Sequence, residues 1–231
     1  MIAHRGEHLQ HPENTLPAIE AALRIGVDYV ELDVRTSLDG HLVLMHDATV
    51  DARTDGQGEV RAMGFAAIRA LDAGVKFDAK FAGTKVPEFD EALELLRGKC
   101  GLYLDWKDAV PEALVAALRR HKMIDQTVVY GGIEKLALLK KLEAGIRLMP
   151  EAVSEVYMKQ CLERLDAKVI AFDRRDFRDE LIALAIAAKA DIFVDRLGPD
   201  DHRAAWLDAV KRGATGIQSD HPAELKATLH E

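Results

Sequence analysis

The sequence predicts an α/β fold, a (β/α)8 TIM barrel with a small insertion after its second strand, and three observations carry that prediction. Short β-branched runs alternate with amphipathic helical stretches from one end of the chain to the other, the pattern of parallel strands joined by helical crossovers. The strands number about eight, the number that closes a barrel. No Gly-rich dinucleotide turn follows an early strand, which weighs against the open doubly wound sheet that shares the same local rhythm. A chain of 231 residues admits two small domains or one barrel-sized domain. With no linker and no internal repeat, a single domain over 1–231 is expected.

Taken in order, strands are expected at 1–4, 29–35, 101–106, 127–130, 146–149, 169–172, 191–195 and 216–219. Helices are expected at 16–25, 111–121, 133–142, 156–165, 180–188, 201–211 and 222–229, where apolar residues recur at three-to-four spacing. The stretch from Asp47 to Pro87 breaks the rhythm. It carries Arg53-Thr54-Asp55-Gly56-Gln57-Gly58 and a mixed run through Phe77 to Gly83, too irregular for a plain βα loop. It reads as an insertion over about 48–87 that helps wall a pocket at the carboxyl ends of the strands, where barrel active sites form.

Composition bounds the function. The chain is 48% apolar and 30% charged, ordinary for a globular protein. Its net charge is −8, and no basic stripe gathers, so nucleic acid is not an expected partner. No apolar run approaches the ~20 residues of a membrane span, so no stable membrane insertion is expected. Cys100 and Cys161 form neither a disulfide framework nor a thiolate metal site. A cytoplasmic, reducing location is the expectation, although a removed leader would leave the same record.

The chemistry starts with Glu31-Leu32-Asp33. Acid, apolar, acid within a strand puts both carboxylates on one face, and like charges that close call for a cation between them. Asp39-Gly40 reads as a two-residue hairpin turn, which sets Leu38 opposite His41 and, by the same register, His46 opposite Asp33. His4 ends the first strand beside Arg5. Asp105, in Tyr103-Leu104-Asp105-Trp106-Lys107, supplies a third carboxylate from a neighbouring strand. Three oxygen ligands suit one divalent cation, Mg²⁺ or Ca²⁺, and the shortage of histidine near those acids argues against zinc. Arg5 and Lys107 are left as unpaired cations, suited to a phosphate.

His4-Arg5-Gly6, Pro12-Glu13-Asn14-Thr15, Glu31-Leu32-Asp33-Val34, His46-Asp47, Arg53-Thr54-x-Gly-x-Gly, Gly83-Thr84-Lys85-Val86-Pro87 and the closing run from Gly213 to Pro222 follow in an order that resembles the glycerophosphodiester phosphodiesterases across nearly the whole chain. The resemblance implies a metal-dependent barrel hydrolase. Its substrates would be small glycerophosphodiesters such as glycerophosphocholine or glycerophosphoethanolamine, cleaved to sn-glycerol 3-phosphate and an alcohol. It further implies that His4 and His46 are the acid–base pair, Arg5 and Lys107 phosphate binders, and Glu31, Asp33 and Asp105 metal ligands. Two departures stand out: the third ligand, commonly Glu, is Asp105, and Val194-Asp195-Arg196-Leu197-Gly198 replaces a common Trp-Thr-x-Asn run, which bears on the substrate range.

Blander readings cover other residues. Asn14 or Thr15 is expected to cap the first helix, Arg53 to be structural and Asp220 to cap the last helix. His8, His11, His41, His121, His202, His221 and His230 have no expected acid or cation partner and are read as solvated surface. Trp106 and Trp206 are expected to pack. Two other functions compete: a phospholipase D or sphingomyelinase D-like lipid phosphodiesterase, and a non-catalytic phosphate-binding barrel. Intact His4 and His46 oppose the latter, because a binder needs no acid–base pair.

Overall fold

The computed structural model describes residues 1–230. Eight parallel strands run in the order of a nearly closed barrel: β6 (Arg147–Met149), β5 (Thr127–Tyr130), β4 (Gly101–Trp106), β2 (Tyr29–Thr36), β1 (Ile2–Ala3), β9 (Gly216–Ser219), β8 (Asp191–Asp195) and β7 (Val169–Phe172). Between β6 and β7 the seam is a single parallel bridge from Glu151 to Ala171. Helices α1 (Leu16–Ile25), α3 (Phe89–Leu96), α4 (Pro111–Arg120), α5 (Ile133–Leu142), α6 (Glu155–Leu165), α7 (Asp179–Ala187), α8 (Arg203–Lys211) and α9 (Pro222–Leu229) follow the strands in turn. The expected eight-unit rhythm is the fold observed.

Strand alternation divides two cores. Val30, Leu32 and Val34 of β2 and Leu102 and Leu104 of β4 point outward and bury against Ile19, Leu93, Leu96 and Leu118 of the surrounding helices. Each such side chain, removed from water, contributes about 1.5–3 kcal/mol. Ile2, Tyr103, Val128, Met149, Val169, Ala171 and Phe193 point inward and fill the barrel, a packed floor beneath its carboxyl end.

The hairpin after β2 differs from its expected form. In β3 (Leu42–Leu44), Leu44 pairs with Val34, Val43 with Arg35 and Leu42 with Thr36, one residue away from the register of a two-residue turn. Ser37 N–H donates to His41 O at 2.9 Å and Gly40 N–H to Ser37 O at 3.1 Å, so three residues form the loop. Gly40 takes φ +89°, the left-handed residue that such a loop needs. This register sets Leu44, not Met45 or His46, at the last ladder rung, and His46 reaches the barrel mouth by another route.

Beyond β3, Val43, Met45, Val50, Val60, Ile68, Ala73 and Val86 bury together as a small core of the insertion, which includes α2 (Phe65–Ala70). Arg69 ties it to α3 through a two-pronged pair with Glu91.

At the other side of the mouth the chain leaves β1 through Arg5 and Gly6, both left-handed at φ 52° and 81°. A Cβ on Gly6 would stand 2.7 Å from the Ala18 carbonyl carbon, where only backbone could yield. Gly6→Ala is expected to cost more than about 1 kcal/mol, since a left-handed φ and the clash both oppose it. Urea denaturation of the intact protein checks this; an unchanged midpoint would contradict it.

Candidate active site

Alternation along β2 sends Glu31 and Asp33 into the barrel, and the parallel register sets Glu31 beside Tyr103 and Asp33 beside Asp105 of β4. One oxygen from each of Glu31, Asp33 and Asp105 lies within 4.8 Å of the others. The sequence-derived acid trio is therefore one cluster. Burial, and then the charges of Asp33 and Asp105, push the Glu31 carboxyl well above its ordinary range. Burial also raises Asp105, against the pull of Lys107. Such a set is stable as anions only with positive charge among them.

Arg5 and Lys107 supply part of that charge, which corrects the expectation that they stand unpaired. Lys107 Nζ is 3.0 Å from Asp33 Oδ1 and 2.6 Å from Asp105 Oδ2. Arg5 Nη1 is 3.0 Å from Glu13 Oε1, its Nε is 3.5 Å from Asp33 Oδ2, and its backbone N–H donates to Glu31 Oε2 at 2.9 Å. Counting charges along the chain misses this, because the two oxygens of Asp33 face the two cations across different loops. Asn14 holds the same carboxylate from below: its Nδ2 donates to Asp33 Oδ2 at 2.7 Å, and Asp33 N–H donates to its Oδ1 at 3.1 Å. Asn14 thus orients Asp33 rather than capping α1. The cap position is Thr15, whose hydroxyl donates to Pro12 O and accepts from no backbone N–H of the helix. Arg53 pairs with Glu13 at 3.2 Å, so the insertion braces the Arg5 loop.

His4 Nδ1 lies 2.7 Å from Asp220 Oδ1, which corrects the reading of Asp220 as a helix cap. The last helix has His221 at its cap position. Burial alone would raise Asp220, but the His4 hydrogen bond and the neighbouring histidines hold it below the ordinary carboxylate value. An ionised Asp220 can only accept, so His4 Nδ1–H donates and Nε2 carries the lone pair. Burial lowers the His4 pKa despite Asp220, with Arg5 adding to the shift, so the ring is neutral at neutral pH. His46 meets the cluster from the opposite loop. Arg35 donates twice to its carbonyl, at 3.1 and 2.7 Å, its Nδ1 sits 2.8 Å from Asp47 Oδ1, and Asp105 feels its charge.

Other histidines read as solvated surface have acidic partners: His11 with Glu7 at 2.6 Å, His41 with Glu88 at 2.7 Å, His221 with Glu224 at 3.5 Å, and His121 with Asp90. His8 joins the site's edge, its Nδ1 2.7 Å from His4 O and its Nε2 3.5 Å from Asp220. Trp106 and Trp206 are buried, each donating its indole N–H, to Ala109 O and Asp201. Among the described residues, no helix is long and apolar enough to cross a membrane.

The model of the glycerophosphoryl diester phosphodiesterase family matches residues 4–142. A glycerophosphodiester phosphodiesterase of Caldanaerobacter subterraneus is 38% identical over 136 residues, 56% of each chain. One from Bacillus subtilis is 35% identical, over 53% of this chain and 46% of its own. The chain spans about half the length of the curated relatives it matches. Among solved structures, a glycerophosphodiester phosphodiesterase of Agrobacterium tumefaciens is 32% identical with a TM-score of 0.89, covering 98% of both chains. A phosphodiesterase of Oleispira antarctica, in complex with its product sn-glycerol-3-phosphate, is 26% identical with a TM-score of 0.91, covering 100% of this chain and 96% of its own.

Proposed function

The chain belongs to the glycerophosphoryl diester phosphodiesterase family, and from that premise we propose that it hydrolyses small glycerophosphodiesters to sn-glycerol 3-phosphate and an alcohol. The observation that carries the reading is a pair of histidines, each on its own carboxylate, at the rim of a three-carboxylate cluster. The Oleispira relative, holding that product on the same fold, supports it.

The acid cluster fits a hard divalent cation: three oxygen donors, no thiolate, and a mutual repulsion that a dication relieves. Glu31, Asp33 and Asp105 would hold it, and it would polarise a phosphoryl oxygen and offset its growing charge. Arg5 and Lys107, resting against the same carboxylates, face the phosphodiester with a planar fork and a point charge. His4, neutral and directed by Asp220, removes the proton from the attacking oxygen, of water or of the adjacent glycerol hydroxyl. As the attacking oxygen bonds to phosphorus, the bond from phosphorus to the head-group oxygen breaks and His46 gives a proton to the leaving alkoxide; where the glycerol hydroxyl attacks, water then opens the resulting cyclic phosphate to glycerol 3-phosphate.

The test is glycerol 3-phosphate release by protein stripped with chelator and resupplied with Mg²⁺, Ca²⁺ or Mn²⁺. Cation-restored release from glycerophosphocholine or glycerophosphoethanolamine is expected; none from folded protein with any cation would overturn the reading.

Asp220 has its own expected result. Asp220→Asn removes the acceptor that fixes the His4 tautomer, and kcat falls by about 10²-fold or more with KM little changed. Because Asp220 raises the His4 pKa, the acid limb of the pH profile moves to lower pH in the variant. A uniform loss with an unshifted limb would mean that Asp220 serves only the fold.

A further inference from the structure

Arg35 follows Glu31 and Asp33 on the inner face of β2, one step nearer the barrel mouth. Its side chain is 13% exposed, and among the described residues it pairs with no carboxylate of the acid cluster. The guanidinium bridges two loops instead. Nε and Nη2 donate to the His46 carbonyl, at 3.1 and 2.7 Å, and Nη1 donates to Asp108 Oδ2 at 2.6 Å.

These two loops are held unequally. The loop after β4, which carries Lys107, has ties of its own. Asp108 Oδ1 accepts from Thr36 N–H at 3.3 Å, and Thr36 Oγ1 accepts from Val110 N–H at 3.0 Å. Trp106 Nε1–H donates to Ala109 O at 2.7 Å, and Lys135 Nζ donates to Lys107 O at 2.6 Å. His46 has fewer supports. Met45 N–H donates to Asp33 O at 3.1 Å; beyond it, among the described residues, the His46 carbonyl accepts from Arg35 alone. The imidazole bonds only to Asp47, the next residue of the same loop. Arg35 thus fastens the less supported loop to a fixed wall.

We infer that Arg35 is a positioning residue for the leaving-group step: braced by Asp108, it fixes the His46 loop so that the imidazole stays within reach of the head-group oxygen. The inference rests on the phosphodiesterase reading and adds a residue to it. A planar fork on one carbonyl sets direction as well as distance, which the point charge of a lysine does not. Without the fork the loop is free to shift, and a displacement of about 1 Å can cost 10²-fold in rate. Only one half of the reaction should feel the loss. As the bond from phosphorus breaks, its electron pair passes to the leaving oxygen; an alkoxide needs the His46 proton at that moment, whereas 4-nitrophenolate, a weak base, departs without it.

The experiment compares, with cation-loaded enzyme, glycerophosphoethanolamine and the 4-nitrophenyl ester of glycerol 3-phosphate. Arg35→Gln is expected to lower kcat for the ethanolamine ester about 10²-fold and to change the nitrophenyl ester less than about threefold. KM should stay within about twofold, because Lys107 keeps its own ties. His46→Ala should show the same contrast between esters, and adding Arg35→Gln to it should cost nothing further, since Arg35 acts through His46. Arg35→Lys, which keeps the charge but not the fork, should fall between wild type and Arg35→Gln; it carries the same comparison if the melting temperature shows Arg35→Gln to be unfolded. Equal losses on both esters, a loss that multiplies with that of His46→Ala, or wild-type rates in both Arg35 variants would each overturn the inference and leave the phosphodiesterase reading standing. Failure of the wild type to cleave either ester overturns both.

Discussion

His4→Ala and His46→Ala are each expected to lower kcat by about 10²–10⁴-fold, the range over which a positioned acid or base contributes. Divalent-cation binding should stay near wild type in both, because neither ring belongs to the acid cluster; calorimetric titration with Mg²⁺ or Ca²⁺ measures that half of the result. The combined His4→Ala/His46→Ala variant should fall little below the worse single, since the two act on one proton transfer sequence. The rival reading of the barrel as a phosphate binder predicts the reverse: intact ligand binding and no turnover to lose. Comparable turnover in wild type and both variants would sink the acid–base assignment.

The second large effect is expected at the carboxylates. Chelation, or Asp33→Asn, should reduce turnover about 10³-fold, the rate equivalent of several kcal/mol of charge stabilisation at the phosphoryl oxygens. Asp33 is the sharpest choice because its two oxygens meet Lys107, Arg5 and Asn14 together. Cation binding should also stabilise the fold, by about 2.7 kcal/mol at a hundredfold excess over Kd. The pH dependence has a definite sign. Glu31 and Asp105 have folded pKa values raised above their unfolded ones, so the cation-free fold binds the extra protons and loses stability as pH rises through that interval. Added cation should therefore raise the melting temperature more at pH 8 than at pH 5. An equal rise at both would mean that the ion binds elsewhere.

Much of this was legible in the chain alone, and the parts that were not share a cause. Strand alternation is local, so Glu31, Asp33 and Asp105 could be assigned to one inner face from sequence. The order of the strands in the barrel then made them neighbours. Partnership across loops is not local. Nothing near Asp220 signals His4, and nothing near Asn14 signals Asp33; each pairing exists because closure brings distant loops to one rim. The Asp39-Gly40 turn shows a finer limit. The dipeptide announces a hairpin, but Ser37 N–H donating to His41 O adds a third residue to the loop, and one residue inverts which side chains face each other.

The pairing of His4 with Asp220 has a consequence for biosynthesis. The two residues stand 216 positions apart, on loops that follow β1 and β9, strands that hydrogen-bond to each other only when the last segment folds back on the first. A nascent chain therefore displays His4 long before Asp220 has been made, and waits for the loop after β9 to orient it. The His4–Asp220 pair forms in one step, with closure, and a barrel still lacking β9 leaves His4 undirected.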